Sequence, residues 1–387
     1  MRIVHIVYDE KFIDDVISFF DDVRTENTFY CIAPAENYEL RYIKKKESVT
    51  LILERDLLSL IYDEGKYDAI YFHALPMQLY KYVIEIPRDK KVVWSSWGYD
   101  IYYSIGAYSP ICEVDLYKPL TKSYQIPSKF SLAGFTKDII KHIIFPARIY
   151  KQKKIEKEQR RNALELQNRV LARVDFCSTV LDTEFDMIKR IPNFKAKKIP
   201  SPYMIRRDKK SIEDVDFENT EYILLGNSAD PSNNYLDIIS LLEKRHIKNK
   251  IYMPLAYGDV RNKDYLINKF GNNKQYIIQD KFIPYEEYSL ILKKTRAVIM
   301  GHIRQQAMGN ITDSLLNGRK VFLYEDSLVY KFLVAGGVNV FSIEKDLNPA
   351  AIDSPLEKEM VEYNRNFVLH IWCYDNRVKK MRDMLFG

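Results

Sequence analysis

Two polar turns in the second half of the chain carry residues that could hold a phosphate. The first follows the apolar stretch Ile223–Leu225 and consists of Gly226, Asn227 and Ser228. Glycine permits a sharp backbone turn, the free N–H groups at the start of the next helix attract anions, and the Asn and Ser side chains add donors. An ordinary strand-to-helix loop, with Ser and Asn capping the helix, fits the same pattern, so this turn alone leaves both interpretations open.

The second turn is richer in hydrogen-bond donors. Arg304, Gln305, Gln306 and Asn310 lie between an apolar strand pattern and a helical one. An arginine guanidinium forks onto the paired oxygens of a pyrophosphate or a sugar carboxylate, and the amides can bind sugar hydroxyls or an acetamido group. Helix capping is the alternative, but this density of donors favours a ligand site.

A carboxylate stands among aromatic residues in the first half of the chain. Trp97, Gly98 and Asp100 follow the apolar stretch Lys91–Ser95. Aromatic faces can stack on sugar rings, glycine allows close approach, and a carboxylate with a tuned pKa can take a proton from an attacking hydroxyl. We therefore predict Asp100 as the base and Trp97 and Gly98 as acceptor-binding residues, with core tryptophans and a helix-capping Asp100 as the alternative.

Three further candidates lie at strand ends. Glu10 follows the first strand and is the second candidate base, His73 ends another strand and is a candidate acceptor contact, and Tyr257 could face a nucleotide. Histidines inside apolar strands are more often hydrogen-bonded core residues than ligand contacts, and that alternative applies to His5 and His73.

The usual signatures of metal and cofactor chemistry are absent from the sequence. A DxD triplet at Asp214 and Asp216 lies in a charged stretch without a supporting strand, and there is no HExxH motif, Walker phosphate loop or GxGxxG motif. We expect neither a bound metal nor a cofactor. The cysteines are scattered without a CxxC pair and are predicted to be reduced, mostly buried residues. They are Cys31, Cys112, Cys177 and Cys373.

Two series of alternating strands and helices would position these residues. Such alternation predicts the α/β class with parallel sheets, whose ligands gather beyond the carboxyl ends of the strands. We predict domains at 1–207 and 221–354, a charged linker at 208–220, and a helical segment at 355–387 that packs back on the first domain. The predicted strands are Arg2–Tyr8, Thr28–Ala33, Ala69–Ala74, Lys91–Ser95, Val174–Ser178, Lys197–Pro200, Tyr222–Leu225, Lys250–Pro254, Gln275–Ile278, Ala297–Met300, Lys320–Tyr324 and Val338–Phe341.

A basic helical insertion at 117–173 interrupts the first series. Between Tyr117 and Arg161, twelve lysines and arginines stand against three acidic residues, whereas the whole chain has a net charge of +6. Apolar and cationic residues interleaved in this way are typical of an element on an anionic membrane surface. The alternative is a helical hairpin with an apolar core face and solvated charges. The apolar residues are Phe130, Leu132, Phe135, Ile139, Ile140, Ile143, Ile144, Phe145 and Ile149.

The overall composition is that of a soluble globular protein of 387 residues, with 47% hydrophobic and 29% charged residues. No stretch approaches the roughly 18 apolar residues of a membrane-spanning helix, and the N-terminus enters a strand pattern without a signal-peptide layout. We expect a cytoplasmic protein, peripheral on the inner face of the cell membrane.

In their order along the chain, HIVYDE, YFHALP, WSSWGYDIY, ILLGNSADPSNN, MPLAYGD and RQQAMGN resemble one family. It is that of the bacterial TDP-4-acetamido-4,6-dideoxygalactose (Fuc4NAc) transferases, 4-alpha-L-fucosyltransferase-like enzymes that act on a lipid-linked intermediate. Its patterns W-G-x-D-L-Y, G-N-S-x-D-x-S-N, P-x-x-Y and R-Q-Q-x-x-G are similar. This chain departs from them with RQQAMGN in place of RQQGIG, with Ala256 and Asp259 around Tyr257, and with the basic stretch 117–161.

The resemblance implies a metal-independent glycosyltransferase of the GT-B architecture, with two facing Rossmann-like domains and a cleft between them. The second domain would hold the donor nucleotide and the first the acceptor. The implied reaction moves an acetamido-deoxy sugar from a TDP or UDP donor to a polyprenyl-diphosphate-linked saccharide in bacterial surface polysaccharide biosynthesis. Arg304 and a helix N-terminus would stabilise the diphosphate leaving group.

Two other classes remain open at this point. One is a non-enzymatic protein that binds nucleic acid or a membrane surface. The polar strand ends of both halves argue against it, and we expect no nucleic-acid partner. The other is a GT-B enzyme of different outcome, namely a sugar-nucleotide epimerase or a transferase with a soluble acceptor.

Overall fold

A computed structural model of the chain describes residues 1–63, 65, 67–102, 111–112, 114–125, 146–203 and 212–386. Most of the apolar residues predicted to face a membrane, those between 130 and 145, lie outside the described residues.

The described part of the chain alternates strands with helices, which confirms the α/β class. The strands are β1 (Arg2–Val7), β2 (Glu26–Ala33), β3 (Val49–Leu53), β4 (Ala69–His73), β5 (Lys91–Ser95), β6 (Phe176–Ser178), β7 (Lys197–Lys198), β8 (Tyr222–Leu225), β9 (Lys250–Pro254), β10 (Tyr276–Gln279), β11 (Thr295–Met300), β12 (Lys320–Leu323) and β13 (Phe341–Ser342). The helices are α1 (Ile13–Val23), α2 (Leu57–Tyr62), α3 (Tyr80–Val83), α4 (Tyr99–Tyr102), α5 (Pro119–Gln125), α6 (Pro146–Arg173), α7 (Asp182–Ile188), α8 (Tyr235–Lys244), α9 (Val260–Phe270), α10 (Tyr285–Lys293), α11 (Met308–Leu316), α12 (Leu328–Ala335), α13 (Pro349–Ile352), α14 (Lys358–Ile371) and α15 (Tyr374–Phe386).

The first compact unit is built on a parallel sheet of order β3-β2-β1-β4-β5-β6-β7. Residues 3–7 of the central strand β1 are all buried, and β2 and β4 pair with its two edges. Helix α1 buries Phe19 and Phe20 in the core of this unit, where Met381 of α15 also packs. The order reverses between β1 and β4, so the loops after these two strands flank a topological switch point.

The second unit repeats the plan with a parallel sheet of order β10-β9-β8-β11-β12-β13. Its core is formed by apolar residues such as Ile223, Ile251 and Phe322. Here the order reverses between β8 and β11, and the two predicted anion-binding turns follow these two strands.

Strand β3 was not among the predicted strands. It lies at the edge of the first sheet, paired only with β2 among the described strands, and Leu51 is 40% exposed. A short apolar stretch on a half-exposed edge lacks the continuous burial that marks the other strands, so its pattern is weak.

The division into units differs from the predicted boundaries at the basic insertion. Residues 114–125, predicted in the first domain, belong to the second unit. The side chain of Asp237 at the start of α8 accepts hydrogen bonds from the backbone N–H groups of Leu120 (2.8 Å) and Thr121 (2.9 Å). These bonds cap the start of α5 and hold it to the second unit.

The predicted linker and C-terminal segment also divide differently. Val215 donates its N–H to Asn317 O at 3.0 Å, so part of the linker is fastened to the second unit. Helix α14 belongs to that unit too, where Arg365 Nε donates to Leu316 O at 2.9 Å. Only α15 packs on the first unit, with Tyr374 edge-on to Phe19 at 5.9 Å.

No helix in the described ranges is long and apolar enough to cross a membrane. All four cysteines are free, and Cys31, Cys112 and Cys177 are buried.

Candidate functional site

The turn after β8 requires glycine at its first position. Gly226 has φ +70°, and a Cβ there would lie 2.3 Å from the Tyr235 hydroxyl oxygen. That hydroxyl donates to Ser228 O at 2.9 Å, which holds the turn against the start of α8. Gly226 N also donates to Ile299 O at 2.9 Å and thereby links the turn to β11.

Three of the predicted donor-site residues form one hydrogen-bonded group. Gln306 Nε2 donates to Asn227 Oδ1 at 2.9 Å, and Asn227 Nδ2 donates to the Tyr257 hydroxyl at 3.2 Å. These residues follow β8, β9 and β11, so the parallel sheet brings its carboxyl-end loops together. Tyr257 remains 54% exposed and can meet a ligand.

Ser228 differs from Asn227, the residue before it in the turn. It is buried, and its hydroxyl oxygen accepts from Asp230 N and Asn233 Nδ2, each at 3.3 Å. Its side chain therefore supports the turn from within.

Arg304 lies beside the same group. Its Nη1 donates to Gln305 O at 3.0 Å, and its Nη2 is 3.9 Å from Asp230 Oδ2. The next helix, α11, begins after Ala307, which takes the left-handed conformation with φ +56°. Asn310 lies in the first turn of α11, where backbone N–H groups have no partner within the helix. A cation and a helix start thus lie at one edge of the second sheet.

Sequence reasoning missed His302, which lies between these turns. It is fully buried, its Nδ1 is 3.1 Å from Arg304 O, and its Nε2 has no hydrogen-bond partner among the described residues. Burial, together with the Arg304 charge, lowers the pKa of His302 to about 3. Its position in the turn after β11, directly after Gly301, was the available signal.

In the first unit the loop after β1 holds two carboxylates with different surroundings. Asp9 accepts hydrogen bonds from the N–H groups of Arg41 (2.6 Å), Tyr42 (3.0 Å) and Ile43 (3.0 Å), so it anchors a neighbouring loop. Glu10 is exposed, and partial desolvation of its carboxylate, aided by the Asp9 charge, raises its pKa. A raised pKa is what a carboxylate base needs.

Asp100 is a buried anchor. Its Oδ2 accepts from Leu75 N (2.9 Å) and from Trp94 Nε1 (2.8 Å), and its Oδ1 accepts from Trp97 N (2.9 Å). Desolvation raises the pKa of Asp100, although these hydrogen bonds act in the opposite direction. Both oxygens are thus occupied by donors that join the loops after β4 and β5.

The three predicted acceptor contacts are placed differently. Trp97 is half-buried, and Gly98, with φ +90°, accepts the first backbone hydrogen bonds of α4. His73 is fully buried and hydrogen-bonds to His5 and Tyr203, so it lies behind the loop surface rather than on it. Within the described ranges, no group of three or more His, Cys, Asp and Glu side chains could hold a metal ion.

Several solved structures share this two-sheet architecture. Sucrose-phosphate synthase from Thermosynechococcus elongatus matches with a TM-score of 0.62 and 10% identity, covering 100% of this chain and 98% of that one. Anabaena HepE, solved in complex with UDP and glucose, matches with a TM-score of 0.61 and 11% identity, covering 100% and 99%. The lipopolysaccharide outer core galactosyltransferase WaaB matches with a TM-score of 0.51 and 11% identity, covering 98% and 94%.

The two parallel-sheet α/β domains, each with a topological switch point, therefore have the GT-B fold. The sequence profile described as 4-alpha-L-fucosyltransferase, glycosyl transferase group 56, matches residues 140–373. The chain belongs to this family. No curated protein sequence matches it significantly.

Proposed function

We propose that this glycosyltransferase moves an acetamido-deoxy sugar, such as Fuc4NAc, from a TDP or UDP donor to a polyprenyl-diphosphate-linked saccharide in bacterial surface polysaccharide biosynthesis. The observation that carries the proposal is the joined group of Asn227, Tyr257 and Gln306 beside Arg304. Amides and a phenol suit sugar hydroxyls and an acetamido group, and the guanidinium suits a diphosphate.

The second unit would bind the donor. Arg304 and the start of α11 supply positive charge at the switch point, which stabilises a diphosphate as the glycosidic bond breaks. These groups would allow the reaction to proceed without a metal ion. That HepE was solved with UDP supports the choice of a nucleotide-linked donor.

The first unit would bind the acceptor and provide the base. We assign Glu10 to this role ahead of Asp100, because Glu10 is exposed with a raised pKa whereas three N–H groups occupy the oxygens of Asp100. Asp100 would then act on the acceptor side by holding Trp97 in place.

The basic insertion would bring the enzyme to the inner face of the membrane. In α6 every residue from 154 to 162 is exposed, including Lys154, Lys157, Arg160 and Arg161, and buried positions begin at Ala163. Three of these cations and Arg169 line a shallow groove of ≈ 590 Å³ that contains one acid, Glu165. A cationic surface of this kind suits anionic lipid headgroups.

Incubation with TDP- and UDP-linked sugars and lipid-linked saccharides, followed by product mass, tests the reaction. The expected result is one sugar added to a lipid-linked acceptor, with Glu10→Gln losing most turnover and the exposed Glu39→Gln keeping it. Hydrolysis, epimerisation of the donor, or transfer only to soluble sugars would contradict the proposal.

Flotation with anionic vesicles tests the membrane step. We expect salt-sensitive binding that falls when Lys154, Lys157, Arg160 and Arg161 are changed to Gln. Equal flotation of both proteins, or flotation of neither, would refute a membrane role for α6 without affecting the transfer reaction.

A further inference from the structure

A chain of hydrogen bonds crosses the core of the first unit. Asn27 Oδ1 lies 3.1 Å from His5 Nε2, His5 Nδ1 lies 3.0 Å from His73 Nε2, and His73 Nδ1 lies 2.6 Å from the Tyr203 hydroxyl. Both histidines are completely buried. Burial lowers the pKa of each, to about 3 for His5, so both rings are neutral at pH 7. A neutral imidazole donates from one nitrogen and accepts at the other.

The direction of the chain is set by Asn27. Its Nδ2 donates to Thr25 O (2.8 Å) and Phe20 O (3.2 Å), which leaves its Oδ1 facing His5 as an acceptor. His5 Nε2 must therefore carry the proton, and its Nδ1 must accept from His73 Nε2. Because the neutral ring of His73 donates from Nε2, it accepts at Nδ1. The Tyr203 hydroxyl therefore donates its proton to His73 Nδ1, toward the core.

This arrangement restricts what Tyr203 can offer a ligand. Because its proton is directed to His73, its oxygen presents only lone pairs elsewhere. The ring of Trp97 packs edge-on against Tyr203, with 5.0 Å between ring centroids. The Trp97 Nε1 lies near the Tyr203 oxygen but is not in hydrogen-bonding geometry with any described residue. A buried donor and an acceptor thus stand side by side, and a buried polar atom without a partner is unfavourable until something pairs with it.

We infer that Trp97 and Tyr203 form a recognition pair for one hydroxyl group of the acceptor saccharide. A sugar hydroxyl can accept from the indole N–H and donate to the phenol oxygen, which satisfies both. His5 and His73 are positioning residues that hold the Tyr203 proton inward. As weak bases they would not remove a proton from the acceptor. The inference rests on the proposed function, because it names a contact of the same acceptor site.

Steady-state kinetics with a polyprenyl-diphosphate-linked saccharide that the wild type uses provides the test. In Tyr203→Phe we expect the acceptor KM to rise about tenfold, equivalent to about 1.4 kcal/mol, with kcat and the donor KM unchanged. The matched control is Tyr71→Phe, which removes another buried tyrosine hydroxyl from the same unit, one that bonds to Ser95 Oγ at 2.7 Å. It should keep the acceptor KM of the wild type.

Two further variants test the positioning role. His73→Leu removes the acceptor for the Tyr203 proton and should raise the acceptor KM in the same direction. The double variant Tyr203→Phe/His73→Leu should lose no more than Tyr203→Phe alone, because both changes act on one hydroxyl. If His73→Leu does not fold, the two phenylalanine variants still decide the question.

The outcomes separate the two hypotheses. Equal acceptor KM values in Tyr203→Phe and Tyr71→Phe, or a fall in kcat alone, would overturn the recognition pair and leave the glycosyltransferase proposal standing. A wild type that transfers sugar to no lipid-linked saccharide would defeat the proposed function, and the recognition pair would fall with it.

Discussion

Buried neutral histidines make the stability of the first unit depend on pH. His5 has a pKa lowered to about 3 by burial, against 6.5 for the free side chain. Below pH 6.5 the unfolded chain takes up a proton that the folded chain refuses, so the free energy of unfolding falls as the pH falls. One proton corresponds to about 1.4 kcal/mol per pH unit, which gives a loss of about 2 kcal/mol for His5 between pH 7 and pH 5.

The perturbation is His5→Gln, which removes this titrating group but retains an amide that can bond to His73. The variant should be less stable than the wild type at pH 7, and the difference between the two should shrink by about 2 kcal/mol at pH 5. Urea unfolding followed by tryptophan fluorescence measures it. The probe suits this unit because all three tryptophans, Trp94, Trp97 and Trp372, belong to it.

The exposed His246→Gln serves as the control and should follow the wild type at both pH values. If wild type and His5→Gln lose the same free energy between pH 7 and pH 5, burial does not keep His5 neutral, and the tautomers assigned to the hydrogen-bond chain would be wrong as well.

Three more outcomes follow from the site geometry. Arg304→Ala should weaken TDP or UDP binding by one to two decades in calorimetry, since a charge-assisted hydrogen bond is worth roughly 1.5–3 kcal/mol, whereas the exposed Arg190→Ala should not. Gly226→Ala should lower the Tm and nucleotide affinity together because its Cβ would meet the Tyr235 hydroxyl oxygen at 2.3 Å, whereas Gly309→Ala, with nothing within 4 Å of its Cβ, should leave the Tm equal or higher. Asp100→Asn places an amide donor against buried N–H groups and should lower the Tm by several degrees. An unchanged Tm with lost turnover would instead restore Asp100 as the base.

The local pattern of apolar and polar residues was enough to predict much of the fold. Each of the twelve predicted strands overlaps an observed one, because a continuous apolar stretch followed by a polar turn is typical of a strand in a parallel sheet. The two turns proposed to bind the donor could also be identified, since Gly226 and the Arg304–Gln306 run are sequence features. The edge strand β3 and the assignment of residues 114–125 to the second unit could not be predicted from the sequence, because both depend on pairing and packing with distant segments.

The chemistry available to each side chain was decided only by the tertiary structure. The sequence identified Asp100, Glu10 and His73 as candidates by type and position. Their hydrogen-bond partners come from distant parts of the chain. The backbone N–H of Leu75 donates to the Asp100 carboxylate, and the hydroxyl of Tyr203, 130 residues further on, hydrogen-bonds to His73 Nδ1. A carboxylate or imidazole can act on a ligand only through atoms that folding leaves unpaired, and which atoms those are follows from long-range contacts that no local pattern records.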